Sequence, residues 1–166
     1  VMIAFSLLCD PQVIILDEPT TALDVITQDF IFSILKRINE EMGIAMLLLT
    51  HDIAIVSKYA DYIGVMYGGS LMEYGEVEAV FEARNHPYTL GLINSTPSIH
   101  GAIDNLKPIP GVPPDILNLP KGCPFAPRCD KCMDICKEKH PDNYDVKGTL
   151  VKCFLYQDQS LKGNKA

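Results

Sequence analysis

Several features that would assign a chain to a common functional class are missing from these 166 residues. Lys and Arg number 14 against 21 Asp and Glu, which gives a net charge of -7. Because nucleic-acid-binding surfaces need clustered Lys and Arg to neutralise phosphates, this balance argues against a nucleic-acid partner. Apolar runs such as Ile44–Leu49 are far too short to span a bilayer, and the start of the chain lacks the basic leader of a signal peptide. We therefore expect a cytoplasmic chain.

A phosphate-binding loop is missing as well. Neither GxxxxGKS nor GxxxxGKT occurs in the sequence, so no loop of that kind offers its backbone N–H groups to nucleotide phosphates. There is also no internal repeat. The composition, with 21% charged and 48% hydrophobic residues, is ordinary for a globular protein. The length allows one domain, or one domain with a small appendage.

Among the features that are present, two adjacent acids are the most informative. Val13–Leu16 is a short apolar run of the kind that forms a buried parallel strand. Asp17 and Glu18 follow it directly, and Pro19 then ends the strand because it cannot donate a hydrogen bond to a sheet. Acids at the end of a buried strand are costly unless a cation or a reacting group uses them. Their position is therefore a first indication of a nucleotide site.

Helical and strand patterns alternate along residues 1–75, as they do in α/β folds. The clearest helix is Val25–Met42, with Asp24 as its N-cap and Gly43 as the left-handed residue after its end. Six apolar residues at helical spacing predict its buried face: Phe30, Ile31, Ile34, Leu35, Ile38 and Met42. Further helices are predicted at Val1–Cys9, Ile53–Tyr59, Gly75–Ala83 and Tyr88–Asn94. Further strands are predicted at Ile44–Leu49 and in a hairpin of Tyr62–Tyr67 with Ser70–Tyr74, joined through Gly68 and Gly69.

The composition changes after residue 107. Seven prolines fall within residues 108–127, which excludes a regular helix or a central strand. The segment is either a linker or an extended stretch that wraps a surface. Five of the six cysteines come after residue 120, at positions 123, 129, 132, 136 and 153. The sixth, Cys9, is predicted to be a small buried apolar residue in the first helix.

The cysteines indicate a metal rather than disulfides, because a cytoplasmic chain does not normally rely on disulfides. Only Cys129 and Cys132 form a CxxC pair, whereas zinc sites usually have two such pairs. Four thiolates at irregular spacing are better suited to a 4Fe–4S cluster, although the standard ferredoxin spacings are also missing. Zinc therefore stays open, and reduced thiols without any metal are the structural alternative.

A family resemblance rests on residues 13–24, VIILDEPTTALD, and on Thr50-His51-Asp52 after the run IAMLLL. These segments resemble the Walker B motif, the D-loop and the switch histidine of ATP-binding-cassette (ABC) ATPases. The resemblance implies that Asp17 holds Mg²⁺ of Mg-ATP, that Glu18 is the general base and that His51 contacts the γ-phosphate. It places Asp24 in a D-loop that crosses to a partner subunit. For His51, the alternative to contact with a nucleotide is a structural histidine that is hydrogen bonded at the start of a helix. For Asp24, the alternative to contact with a partner subunit is simple capping of the helix that follows.

The same resemblance implies a partial ABC ATPase core, with parallel strands and flanking helices, over residues 1–84. The phosphate loop and an LSGGQ-like signature would precede residue 1, so we interpret the chain as the carboxyl-terminal part of a longer subunit. ABC ATPases act as head-to-tail pairs, homodimeric or heterodimeric, in which each ATP lies between the phosphate loop and the partner's signature. We expect the 166-residue chain alone to be inactive.

Residues 85–166 resemble the extension of ATP-binding subunits from oligopeptide and dipeptide importers. The segments that carry the resemblance are HPYTLGLINSTPSI, IPGVPPDILNLPKGCPFAPRC, MDIC and VKC. Some members of that group carry an iron–sulfur cluster, and the matching cysteines are Cys123, Cys129, Cys136 and Cys153. Cys132 lies where the pattern does not require cysteine and is an alternative ligand to Cys129. The sequence thus predicts an irregular, Cys- and Pro-rich extension with a structural cluster.

The leading hypothesis is an ATP-hydrolysing subunit of a peptide importer. It would bind transmembrane permease subunits at the cytoplasmic face of the plasma membrane and a substrate-binding protein only indirectly. An importer of nickel or another solute has a similar ATPase and is one alternative. A metal-binding interaction module with an inactive cassette remnant is a second. A soluble ABC ATPase of DNA repair or translation is a third, which the extension and the acidic balance disfavour.

Overall fold

The computed structural model of this protein describes residues 2–21, 23–96 and 108–160. The chain divides into two compact units, Val1–Tyr59 and Ala60–Ala166. Residues 60–84 therefore share a compact unit with the cysteine-rich part of the chain. The functional boundary between residues 84 and 85 that the sequence suggests stays a prediction.

Within the described residues, the first unit contains one pair of parallel strands and three helices, which precede, connect and follow the two strands in the sequence. Its elements are α1 (Met2–Leu7), β1 (Val13–Asp17), α2 (Val25–Met42), β2 (Ala45–Leu49) and α3 (Ile53–Tyr59). β1 and β2 are parallel, and α2 makes the crossover that a parallel pair requires. The predicted α/β character of this part of the chain is confirmed.

Helix α2 begins and ends where the sequence predicts. The Asp24 carboxylate accepts a hydrogen bond from the backbone nitrogen of Thr27 at 3.0 Å, which satisfies one free N–H of the first turn. Gly43 follows the helix in the left-handed conformation, with φ of 66°, and its N–H donates to the carbonyl of Asn39. Asp52 likewise accepts from the backbone N–H groups of Ala54 and Ile55 at the start of α3.

The predicted buried face of α2 is wrong in part. Leu35 is buried as expected, but Phe30 and Met42 are 65% and 50% exposed, and Phe32 is the buried aromatic residue. The apolar face is shifted around the helix because the ring of Phe32 stacks on that of Tyr59 from α3, with centroids 5.5 Å apart. The prediction for Cys9 is also wrong: α1 ends at Leu7, and Cys9 lies exposed after the helix.

The second unit contains an antiparallel sheet whose strands lie in the order β3 (Tyr62–Tyr67), β4 (Ser70–Glu76), β6 (Thr149–Val151) and β5 (Tyr144–Val146). The predicted hairpin is confirmed, with β3 at Tyr62–Tyr67, β4 at Ser70–Glu76 and both turn glycines in left-handed conformations. β5 (Tyr144–Val146) and β6 (Thr149–Val151) were not predicted, and β6 pairs with β4. The carboxyl-terminal part of the chain is therefore less irregular than the sequence suggests.

Helices and short turns pack around this sheet. The helices are α4 (Val77–Ala83), α5 (Pro87–Asn94), α6 (Asp134–Glu138) and α7 (Gln157–Ser160), and three single 3₁₀ turns lie at Ile116–Asn118, Ala126–Arg128 and Phe154–Tyr156. α4 begins two residues later than predicted because β4 continues to Glu76. None of the helices in the described ranges combines the length and the apolar character needed to cross a membrane.

The described part of the proline-rich segment wraps a surface rather than forming a free linker. The guanidinium of Arg128 donates to the carbonyl oxygens of Ile109 and Pro110 at 3.1 and 2.8 Å. It also donates to the hydroxyl of Tyr67 on β3 at 3.2 Å. Since five donors in a planar fork can bind several acceptors at once, one side chain ties this segment to the sheet.

Candidate functional site

The carboxyl ends of β1 and β2 bring the predicted hydrolytic residues together. In the parallel register, Asp17 is the partner of Leu49, and the backbone N–H of Glu18 donates to the carbonyl of Leu49 at 3.0 Å. His51 lies two residues beyond Leu49. The strand pairing therefore carries Glu18 and His51 to one edge of the sheet, which is where ligands of parallel α/β sheets bind.

Glu18 and His51 are in direct contact. The Glu18 Oε1 atom lies 2.7 Å from the His51 Nδ1 atom. The side chains are 40% and 84% exposed, respectively, so both remain accessible to a ligand. The side chain of Asp17, which ends β1, is also exposed at this edge. The structure thus places all three predicted residues at one solvent-facing edge and links two of them.

The backbone of Glu18 turns sharply away from the strand. Its φ is 46°, a left-handed conformation that is uncommon for a residue with a side chain. Thr21 supports this turn, since its N–H and hydroxyl donate to the Glu18 carbonyl at 3.2 and 3.0 Å. The Thr21 hydroxyl also lies 3.4 Å from Glu18 Oε2. A strained backbone held by local hydrogen bonds is a feature of sites in which a side chain must be aimed.

The contact changes the acidity of both partners in opposite directions. The hydrogen bond from His51 lowers the pKa of Glu18 below its ordinary value of 4.5. The hydrogen bond to Glu18 raises the pKa of His51 above 6.5. Each charged form stabilises the other, so the carboxylate stays ionised and the imidazole holds a proton at higher pH than usual. An ionised carboxylate at this position is what a general base for water requires.

Asp24 serves as a helix cap. Its carboxylate accepts from the backbone N–H and, at 2.7 Å, from the hydroxyl of Thr27, which lowers the pKa of Asp24. Ala22, the central residue of the predicted D-loop, lies outside the described residues. The capping function of Asp24 is confirmed, while its contact with a partner subunit stays a prediction.

A second region in the other unit collects the four cysteines that the sequence singles out. Cys123, Cys129, Cys136 and Cys153 all line one small pocket, together with residues that include His86, Phe125 and Phe154. Cys123, Cys136 and Cys153 are buried, and Cys129 is partly buried. Residues far apart in sequence thus place four thiols around one cavity.

Burial favours the protonated form of three of these thiols, those of Cys123, Cys129 and Cys153. Removal from water raises the pKa of Cys129 and of Cys153 to about 11 and also raises that of Cys123. The neighbouring thiols contribute further, because a second thiolate in the same pocket repels the first. In the described ranges, no group of three or more His, Cys, Asp or Glu side chains is arranged to hold a metal ion. The donor set fits a thiolate-ligated metal in type and number, but its present spacing is not a coordination geometry.

A close backbone approach fixes two of the thiols relative to each other. The N–H of Cys123 donates to the carbonyl of Cys136 at 2.8 Å. A Cβ on the preceding Gly122 would lie 2.2 Å from that carbonyl oxygen, so only glycine fits at this point. The loop that carries Cys123 is therefore held directly against α6.

The structure adds two buried polar residues that the sequence analysis did not place. His86 is 1% exposed; it caps α5 by accepting from the Tyr88 N–H at Nδ1, and its desolvation lowers its pKa from 6.5 to about 4. Glu73, also 1% exposed, accepts from the N–H groups of Asn85 and His86, and burial raises its pKa. Pro87 directly after His86 was the available signal, since proline favours the first position of a helix.

Known proteins share both regions of this chain. Residues 72–136 match the family model described as "Oligopeptide/dipeptide transporter, C-terminal region". The dipeptide transport ATP-binding protein DppD of Caldanaerobacter subterraneus is 46% identical over 159 residues, which cover 95% of this chain and 49% of that protein. The oligopeptide transport ATP-binding protein OppD of Escherichia coli is 45% identical over 161 residues, which cover 97% of this chain and 48% of that protein.

The oligopeptide transport ATP-binding protein AppD of Bacillus subtilis is similar to the same extent, with 46% identity over 98% of this chain and 50% of its own. Among solved structures, CbiO1 of Clostridium perfringens, part of the ABC transporter complex CbiONQ, is 39% identical. That match covers 49% of this chain and 33% of that one, with a TM-score of 0.46. The chain spans about half the length of the curated relatives it matches.

These matches identify the class of protein first: the chain is related to ABC-type ATP-binding proteins. Within that class, it is related to the ATP-binding proteins of oligopeptide and dipeptide transporters. The resemblance stated from the sequence motifs is confirmed at both levels.

Proposed function

We propose that this chain supplies the hydrolytic edge of an ATPase subunit that drives the import of oligopeptides or dipeptides. The observation that carries the proposal is the 2.7 Å contact between Glu18 and His51 at the carboxyl ends of two parallel strands. The relatives support the substrate class, because their names state oligopeptide or dipeptide transport. This favours peptides over nickel, and it favours a transporter over an isolated interaction module.

Each residue at the edge has a distinct role in the proposal. Asp17 holds Mg²⁺ through bound water, since Mg²⁺ keeps several waters and needs only one or two carboxylates. Bound there, the ion would neutralise charge on the β- and γ-phosphates. Glu18 accepts a proton from the attacking water, and His51 contacts the γ-phosphate while its hydrogen bond orients the carboxylate. Asp24 is the last residue of the D-loop, through which a partner ATPase subunit is contacted, and it also caps the helix that follows.

The partners follow from the same proposal. A second ABC ATPase subunit completes the nucleotide site, and transmembrane permease subunits receive the mechanical work. A substrate-binding protein acts on the other side of the permease and does not touch this chain. The ATPase is held peripherally at the cytoplasmic face of the plasma membrane through the permease.

We also infer that Cys123, Cys129, Cys136 and Cys153 bind a metal centre, with a 4Fe–4S cluster preferred over zinc. The support is that four thiols line one pocket in a loop-rich region, where a metal would add stability. Binding requires the thiols to lose their protons and draw together. Anaerobic purification tests the inference. A protein that contains iron and sulfide and absorbs broadly in the visible range would support the cluster, and a colourless protein that contains zinc would support zinc. A protein that contains neither metal would contradict both assignments.

The ATPase proposal is tested in the transporter assembled with its permease. Glu18→Gln keeps the size of the side chain but removes the base, so turnover should fall by at least about 100-fold while ATP binding is retained. Glu41→Gln is the matched control, because Glu41 is an exposed glutamate on α2. Full turnover in Glu18→Gln would contradict the hydrolytic role. Stimulation by a binding protein loaded with nickel, but not by one loaded with peptide, would contradict the substrate class.

A further inference from the structure

Thr21 contacts both the backbone and the carboxylate of Glu18. Its hydroxyl donates to the Glu18 carbonyl at 3.0 Å and lies 3.4 Å from Glu18 Oε2. Its backbone N–H donates to the same carbonyl at 3.2 Å. The side chain of Thr21 is exposed, so these contacts, and not packing, are what this residue contributes.

The turn from Glu18 to Thr21 directs Glu18 away from β1. The hydrogen bond from the Thr21 N–H closes this turn, and Pro19 occupies its second position, where the fixed φ of proline fits. Glu18 has a φ of 46°, which is uncommon for a residue with a side chain. Because this conformation is unfavourable for glutamate, the two hydrogen bonds from Thr21 help to maintain it.

The turn is also attached to helix α2. Thr20, which precedes Thr21, is buried, and its carbonyl accepts from the N–H of Leu23 at 3.1 Å. The same carbonyl accepts from Nε2 of Gln28, a residue of α2, at 3.2 Å. The backbone at Thr21 is therefore joined to a regular element, and its hydroxyl reaches Glu18 from a fixed position.

The Glu18 carboxylate has a partner at each of its oxygen atoms. Oε1 lies 2.7 Å from His51 Nδ1, and Oε2 lies 3.4 Å from the Thr21 hydroxyl. The Thr21 contact is the longer one, because the hydroxyl has a single proton and also donates to the Glu18 carbonyl. The terminal torsion of glutamate is broad, so one partner alone would leave the carboxylate plane free to turn. Partners that follow two different strands restrict this rotation.

We propose that Thr21 is a positioning residue for ATP hydrolysis, because its hydroxyl fixes the backbone and one carboxylate oxygen of Glu18 and so aims the base at the attacking water. Thr21 itself exchanges no proton with the water. The inference rests on the hydrolytic function proposed above, and it adds to the D-loop a function within its own subunit. A misaligned base slows the chemical step without weakening nucleotide binding, so loss of the hydroxyl should lower kcat and leave KM unchanged.

Two variants of the subunit, assembled with its permease, test the proposal. Thr21→Val keeps the branched side chain but removes the hydroxyl, so kcat should fall roughly 3- to 10-fold with the KM for ATP unchanged. Thr21→Ser keeps the hydroxyl and should retain most of the wild-type kcat. A wild-type kcat in Thr21→Val would overturn the proposal, and so would a kcat in Thr21→Ser that is as low as in Thr21→Val.

Ser33→Ala is the matched control. The exposed hydroxyl of Ser33 also donates to the carbonyl three residues before it, that of Phe30, at 2.7 Å, but it lies on α2 and not in the turn. Its removal should leave kcat unchanged. An equal loss of kcat in Ser33→Ala and Thr21→Val would show that any such local bond affects turnover, and the specific function of Thr21 would be refuted.

A second measurement reports the position of Glu18 without ATP. In the nucleotide-free, full-length subunit, the NMR signals of the His51 imidazole at fixed pH report its contact with Glu18. Thr21→Val should shift these signals toward those of Glu18→Gln, whereas Thr21→Ser and Ser33→Ala should leave them as in wild type. Wild-type signals in Thr21→Val would contradict the positioning of Glu18 by Thr21.

The same variants separate this inference from the proposed function. If Glu18→Gln retains full turnover, the hydrolytic function fails, and the NMR signals still decide whether Thr21 positions Glu18. If Glu18→Gln loses turnover while Thr21→Val is as fast as wild type, the hydrolytic function stands and the inference about Thr21 fails.

Discussion

The Glu18 carboxylate and the His51 imidazole meet at 2.7 Å although 33 positions separate them in the sequence. The register of two parallel strands produces this contact, because Asp17 and Leu49 are partners and each of the two residues follows its own strand end. The pair therefore depends on the pairing of the two strands as well as on the local turn at Glu18. Any change in strand register would separate Glu18 from His51.

The first prediction concerns the protonation of His51. Because Glu18 raises its pKa, His51 in the wild-type chain should titrate above 6.5, and in Glu18→Gln its pKa should fall back toward 6.5. The pair adds its full stability between about pH 4.5 and 6.5. This contribution is lost as the pH rises through the raised pKa of His51 and as it falls through the lowered pKa of Glu18. NMR of the imidazole signals measures both values, with Glu41→Gln as the control. Equal titration of His51 in wild type and Glu18→Gln would show that the contact is not formed in solution.

The second prediction concerns the buried His86. Its pKa is 6.5 in the unfolded chain and about 4 in the folded one, so the unfolded state binds the extra proton. Folding stability should be complete above pH 6.5 and decrease toward pH 4, by about 3 kcal/mol in total. His86→Asn keeps a capping acceptor but cannot titrate, so the difference between its unfolding midpoint and that of wild type should depend on pH.

Denaturant unfolding of the metal-free chain at several pH values measures this difference. The raised pKa of Glu73 makes stability change in the opposite direction with pH, but it is present in both proteins and so largely cancels. If the difference in unfolding midpoint between wild type and His86→Asn is the same from pH 4 to pH 7, the buried, neutral state of His86 is contradicted.

The third prediction concerns the close approach at Gly122. Gly122→Ala places a Cβ against the backbone of Cys136, which cannot move as a side chain can, so the free energy of unfolding should fall by about 1–3 kcal/mol. Gly64→Ala is a useful control, because its nearest contact is the end of the flexible Leu71 side chain at 2.9 Å. Equal unfolding midpoints for the two variants would argue against the close approach of Gly122 to the backbone of Cys136.

The fourth prediction concerns Arg128. Arg128→Lys keeps the charge but replaces the planar fork, so the contacts to Ile109, Pro110 and Tyr67 cannot all be kept. Each lost hydrogen bond should cost about 0.5–1.5 kcal/mol, and residues near Gly111 should become more sensitive to protease. Arg37→Lys, at an exposed arginine of α2, should leave cleavage unchanged. Unchanged cleavage in Arg128→Lys would show that the segment is held by other contacts.

Local sequence signals predicted the elements of the first unit well. The signals for the N-cap at Asp24 and for the end of α2 at Gly43 lie within a few residues of the positions that they determine. The same is true of the patterns that predict the alternating strands and helices. The contact of Glu18 with His51 is consistent with their sequence positions, because each residue follows a strand and parallel strands end at the same sheet edge. The error at Phe30 and Phe32 arose because helical periodicity alone cannot show which neighbouring helix the apolar face meets.

Sequence reasoning was weaker in the second unit for a physical reason. The strand Thr149–Val151 is only three residues long, and its pairing with β4 joins positions almost eighty residues apart, which no local pattern reveals. The buried pair of Glu73 and His86 was missed because burial of polar residues depends on partners supplied by the tertiary fold. The cysteine positions were clear in the sequence, but the separation of Cys132 from the pocket required the structure.

The proposed hydrolytic function depends most on Glu18 and His51 acting as one unit in ATP hydrolysis, and a double-mutant cycle measures this directly. Turnover by the assembled transporter is compared for wild type, Glu18→Gln, His51→Ala and the double variant. Residues that act as a unit give strongly non-additive losses. We expect the double variant to be no slower than Glu18→Gln alone. Losses that multiply in the double variant would show that the two side chains contribute independently, and would contradict this expectation.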